Sequence, residues 1–132
     1  AQLPPFAQSK LVRVITGRIV DVVVDIREGS PTYLSSFTIE LRDDDPTQLF
    51  VPRGFLHGFR TLTPSARIAY KVDNFYNAEA DRSVAYDDPD LDCDWALRGS
   101  DRVYLSPKDK KAMAYRDIEK VFIYDELMGG GA

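Results

Sequence analysis

The chain has 132 residues, of which 44% are hydrophobic and 29% charged, with a net charge of −4. That length suits one domain with a real core and is short for two, and the balance reads as globular rather than disordered. The acidic excess argues against a broad nucleic-acid footprint, which needs a net basic face, and leaves room for a local basic pocket that takes a small anion.

Taken in order, residues 11–27, LVRVITGRIVDVVVDIR, predict strands on either side of Gly17, because β-branched residues fit a pleated, half-buried surface. Gly17 and Arg18 predict a hairpin turn or bulge between them. EGSPTY (28–33) is a turn cluster. SSFTIELR (35–42) alternates, with Phe37, Ile39 and Leu41 on one face. DDDPT (43–47) is an acidic turn, and QLFVP (48–52) is a short strand closed by proline. GFLHGFRTL (54–62) is a further strand, and ARIAYKVDNFY (66–76) sets Ile68, Tyr70 and Val72 against Arg67, Ala69 and Lys71.

Residues 83–86 and 101–106 predict two short strands around the acidic turn DDPDLD (87–92). Residues 107–128 are the one helical segment, with Ser106 as N-cap and Pro107 in the first position. GGGA (129–132) carries no fold signal and is expected to be a disordered tail on a single domain spanning 1–128. Seven or eight short strands, with turns about every 8–12 residues, indicate an antiparallel sandwich or barrel, with a jelly roll as the leading architecture.

One cysteine, Cys93, allows no intrachain disulfide and fits a reducing cytosol. No stretch is long and apolar enough to span a membrane, and no signal-peptide pattern opens the chain. A soluble, cytoplasmic protein is the expectation.

One histidine and one cysteine leave a transition-metal site without its usual donors. The acidic turns lack the ligand spacing of a calcium loop. No phosphate-binding glycine motif follows a strand. Cys93 is flanked by acids, which raise a thiol pKa, and no G-x-S-x-G is present.

What remains is acid–base chemistry around His57, Tyr70, Lys10 and Asp109. Each also has a plain structural reading. These are a hydrogen-bonded core histidine, a core tyrosine with its hydroxyl at the rim, a solvated lysine, and an aspartate complementing a helix N-terminus. Pattern alone gives a β-barrel with a polar pocket and no reaction.

Five segments sharpen this. They are QLPPFAQSKLVRVITGRIVDVVVDIREGSPTY (2–33), QLFVPRGFLHGFRTL (48–62), AYKVDNFY (69–76), DDPDLDCDW (87–95) and LSPKD (105–109). In order and spacing the chain resembles the dTDP-4-dehydrorhamnose 3,5-epimerase family over about residues 2–115. The resemblance implies a cupin-type jelly-roll barrel with a short C-terminal helix. It implies a homodimer with no metal or organic cofactor. The implied substrate is a dTDP-4-keto-6-deoxyhexose, epimerised at C3 and C5.

By the same resemblance, Tyr70 is the acid that reprotonates the opposite face. Lys10 lies near the C4 oxygen, and His57 polarises or positions the sugar. Asp109 orients the catalytic base, and Lys108 beside it contacts substrate. Phe75 and Tyr76 form an aromatic pair that stacks near the nucleotide. Gln2 matches the glutamine that ends the family's R-G-L-H-x-Q motif and is also expected to contact substrate.

The base in that motif is the histidine two residues before the glutamine, so it is expected upstream of Ala1. The domain is therefore expected to be N-terminally incomplete relative to the family. The alternative reading is a cupin that binds a nucleotide sugar without turning it over.

Overall fold

The two β-branched runs on either side of Gly17 do not pair with one another. In the computed structural model, which describes residues 1–99 and 101–124, they enter different sheets. The strands are β1 (Lys10–Thr16), β2 (Arg18–Asp25), β3 (Ser36–Arg42), β4 (Leu49–Val51), β5 (Phe55–Thr61) and β6 (Arg67–Val72). One three-stranded sheet has the order β4-β1-β6 and the other β3-β2-β5, and all pairings are antiparallel.

The hairpin expected at Gly17 is therefore a crossover between sheets. Gly17 has φ +88°, and a Cβ there would lie 2.6 Å from the Ser65 carbonyl oxygen, so only glycine fits without strain. The acidic turn holds this corner: Asp43 accepts a hydrogen bond from the Gly17 N–H at 2.8 Å.

The two sheets face each other over Val12, Val14, Ile19, Val23, Leu41 and Val51. A second cluster lies on the other side of the β3-β2-β5 sheet. It joins Val24, Ile26 and Leu56 to Leu91, Tyr115, Ile118 and Phe122. β2 is thus covered on both faces, which is why its sequence is a near-continuous apolar run rather than a clean alternation.

The covering layer is the C-terminal third of the chain, and here the sequence expectations need correction. Six strands form among the described residues rather than seven or eight. Residues 83–86 contribute one bridge, Val84 to Met113, and residues 101–106 form no strand. The helix expected over 107–128 is a single turn, α1 (Pro107–Lys110), capped by Ser106 as expected, followed by a 3₁₀ turn at Tyr115–Asp117.

The backbone beyond α1 is drawn to tertiary partners instead of to itself. The Tyr115 N–H donates to Asp88 at 2.6 Å, and Ile123 bridges Glu28. Residues 125–128 and the expected tail at 129–132 lie outside the described residues. No helix among the described residues is long and apolar enough to cross a membrane.

Residues 92–96 of this layer form a strap anchored on β3 and β5 next to His57. Thr38 donates to the Asp94 carbonyl at 2.8 Å, Arg60 donates to the Trp95 carbonyl at 3.2 Å, and the Trp95 ring lies over Gly58. A Cβ at Gly58 would sit 2.8 Å from the Trp95 ring. Replacing Gly58 by valine is expected to cost about 1–3 kcal/mol by overpacking, read as a lower urea midpoint at unchanged slope. An unchanged midpoint would show that the indole swings clear at no cost.

Candidate active site

Strand alternation decides which side chains share the space between the sheets. On β1, Lys10, Val12 and Val14 face inward, while Arg13 is exposed on the outer face. The register sets Lys10 opposite Val51 and Val72, and Val12 opposite Tyr70. On β2, Asp21 lies between Ile39 and Phe59, and Val23 between Phe37 and His57. Lys10, Tyr70, His57 and Asp21 are therefore polar groups on an inner surface that is otherwise apolar. Phe37, Ile39 and Leu41 share a face as expected, with Leu41 buried and Phe37 exposed at the strand end.

Asp21 is the residue that the sequence reading missed. It is 0% exposed and lies against the imidazole of His57, whose Nε2 is 2.9 Å from Oδ2 and 2.8 Å from Oδ1. A carboxylate only accepts, so Nε2 is the donor. One N–H cannot point at both oxygens. The directed bond goes to Oδ2, and Oδ1 is left without a partner despite its proximity. The available signal was an acid in the middle of RIVDVVVDI, because burying such a group is costly unless it is paired.

Tyr70 is half-exposed and meets His57 edge-on, with ring centroids 6.2 Å apart and planes at 80°. Burial, and then the nearby charge of Asp21, push its phenol pKa upward, so it holds its proton more firmly than an ordinary tyrosine. Burial pulls the Lys10 ammonium in the opposite direction, below the usual lysine value. Asp81 and Asp21 oppose that shift, and Lys108 adds to it.

Lys108 reaches Asp81 with Nζ 2.6 Å from Oδ2, which brings the α1 lysine toward Lys10. Gln2 is buried and its amide is fully engaged. Nε2 donates to the carbonyls of Phe6 (2.7 Å) and Phe75 (3.1 Å), and Oε1 accepts from the Asn77 N–H at 2.9 Å. Its direct role is thus to fix the loop that carries Phe75 and Tyr76, which stand 85% and 70% exposed. Asp109 is exposed on α1 with its N–H on Ser106 Oγ at 3.1 Å. Its carboxylate makes no ion pair or hydrogen bond among the described residues.

An ammonium, a protonated phenol and a carboxylate-held imidazole around one apolar space can hold a carbonyl oxygen while a proton moves at the adjacent carbon. Relatives with that chemistry in their names match the chain. The family model described as dTDP-4-dehydrorhamnose 3,5-epimerase matches residues 1–117. The enzyme of that name from Sinorhizobium fredii is 43% identical over 123 residues, covering 93% of this chain and 62% of its own length.

Two solved structures share the architecture. The epimerase RmlC of Legionella pneumophila, in complex with dTDP-4-keto-L-rhamnose, superposes with a TM-score of 0.86 at 39% identity, covering 94% of this chain and 66% of that one. ChmJ of Streptomyces bikiniensis, a 3'-monoepimerase in complex with dTDP-quinovose, gives 0.75 at 30% identity, covering 86% and 56%. The chain thus spans less than two thirds of these relatives. The facing sheets are the cupin-type jelly roll expected from the motifs, and the chain belongs to the dTDP-4-dehydrorhamnose 3,5-epimerase family.

Proposed function

We propose that this chain carries the larger part of an epimerase site acting at C3, C5 or both of a dTDP-4-keto-6-deoxyhexose, in deoxysugar formation such as that of dTDP-rhamnose. The observation that carries the reading is the convergence of Lys10, His57 and Tyr70 across the space between the two sheets, in the order that the family motifs require.

In this reading a base removes the proton beside the C4 ketone, and the electron pair moves onto the C4 oxygen. Lys10 holds that oxygen as it becomes negative, and His57, whose Nε2–H is given to Asp21, positions the sugar. Tyr70 gives its phenolic proton to the opposite face of the carbon and regains one from solvent. The base is the histidine that the family motif places two residues before Gln2, and it returns its proton to solvent.

Asp109 is the partner of that histidine. Its unengaged carboxylate supports this, as does the Lys108–Asp81 pair, which holds α1 beside the Asp81–Gln2 bridge. Lys108 contacts the substrate, Phe75 and Tyr76 stack on thymine, and Gln2 acts by holding their loop. The reaction uses no metal or organic cofactor.

The protein works as a homodimer in the cytoplasm. Exposed Ile15 and Phe50, together on the outer face of the β4-β1-β6 sheet, support self-association.

The test is exchange in deuterated water with the 4-keto-6-deoxy sugar nucleotide, catalysed by the protein that includes the R-G-L-H residues before Gln2 and followed by NMR. Deuterium at both C3 and C5 is the expected result, and deuterium at C3 alone identifies a monoepimerase. The gene sequence before Ala1 is expected to read R-G-L-H and one further residue up to Gln2, with Ala1 as that residue.

A second reading, binding without turnover, is favoured for these 132 residues by the single histidine, since His57 is already held by Asp21. Saturable dTDP binding with no exchange at either carbon establishes it.

A further inference from the structure

Asp21 is the most enclosed polar side chain of the inner face, and its Oδ1 has no hydrogen-bond partner. A buried charge with an unsatisfied oxygen acts through a poorly screening medium, so its field reaches neighbouring groups strongly. Three proton-bearing groups lie around it: His57 from β5, Tyr70 from β6 and Lys10 from β1. We propose that Asp21 is a positioning residue for the reaction, holding the His57 imidazole by Nε2 against the Tyr70 ring and setting its carboxylate behind the Tyr70 phenol. The chemical use of this arrangement rests on the epimerase reading, but its electrostatics do not.

Asp21 is the one carboxylate acting on both Tyr70 and Lys10. The charged group acting on Tyr70 is Asp21, which adds to the effect of burial. Lys10 is faced by Asp81 from the loop after β6, by Lys108 from α1 and by Asp21 from β2. Of the two carboxylates, Asp81 is already ion-paired to Lys108. Asp21 contacts no basic side chain other than His57 among the described residues. Its ladder neighbours Ile39 and Phe59 are apolar and supply no counter-charge.

Asp21→Asn keeps the shape and removes the charge. In the 132-residue chain, His57 is the only histidine, so a ¹⁵N-labelled imidazole gives one interpretable signal. The wild type is expected to show a protonated, hydrogen-bonded Nε2, and the variant a changed signature. With ¹³C-labelled tyrosine, and Tyr70→Phe identifying the resonance, the Tyr70 titration midpoint is expected to fall in Asp21→Asn. In the protein assayed for exchange, the alkaline limb of the rate profile is expected to move to lower pH with KM little changed.

A shifted Tyr70 midpoint without any sugar exchange by the protein that includes the motif histidine keeps this proposal and removes the epimerase reading. An unmoved Tyr70 midpoint together with an unmoved imidazole signature overturns the proposal whatever the activity. If the asparagine variant fails to fold, the wild type carries the test: a Tyr70 midpoint at or below the ordinary value of about 10 overturns it.

Discussion

Replacing Tyr70 by phenylalanine is expected to lower epimerisation on the order of 10²–10⁴-fold, the usual contribution of a well-placed general acid. In free energy that is about 2.7–5.4 kcal/mol of barrier. The substitution is clean, because the ring is half-exposed on an edge strand and its contact with His57 is through ring edges, which phenylalanine keeps. Binding of dTDP should therefore be unchanged.

The isotope pattern makes the assignment specific. Loss of the acid stops inversion while leaving proton removal to the base, so exchange at C3 or C5 with retained configuration should outlast product formation. Equal rates of inversion in wild type and variant would remove Tyr70 from the acid role.

Asp25→Ala is expected to be the most destabilising single change in the chain, at about 3–5 kcal/mol, because it strands a buried cation. Asp25 accepts from Arg27 Nε and Nη2, each at 2.9 Å, and from Ser30 and Thr32 at 2.5 and 2.6 Å. Arg27 is itself buried, with Nη1 unpartnered and its guanidinium against Phe55 and Tyr124. Urea unfolding of the variant should show a lower midpoint.

The effect carries a pH signature. Burial alone would raise the Asp25 carboxyl, but the bonds from Arg27, Ser30 and Thr32 outweigh it and hold the group well below the usual carboxylate range. A depressed folded value means that the contribution is complete above the unfolded value of about 4 and is lost as the pH falls through the folded value. The gap between wild type and variant should be constant from neutral pH down to about 4 and should narrow below it. A gap independent of pH would assign the loss to packing instead.

How much of this could be read from residues alone depended on distance along the chain. Tyr70 followed from strand alternation, because a side chain's face is fixed by its own strand, whereas Lys10 and His57 followed from motif order alone. The pairing of His57 with Asp21 was not legible. The two are 36 residues apart, and only the β2–β5 register brings them together.

Gly17 misled because a hairpin turn and a crossover ask the same thing of a glycine. The segment after α1 misled because Tyr115, Ile118 and Phe122 repeat at helical spacing. Their partners on β2 and in the 88–91 turn hold the chain out of a helix. Gln2 is expected from the motif to contact substrate, and only the folded loop shows its three backbone partners.

β2, enclosed between two apolar clusters, has a consequence for how the molecule breathes. Its amides can meet solvent only if the strap lifts or the sheets part, so they should be among the slowest to exchange hydrogen with water. The strand that is last to open is also the one that carries Asp21. The exposed loop bearing Phe75 and Tyr76 belongs to the opposite end of that scale. That loop can open and close many times while the buried strand beneath it stays closed.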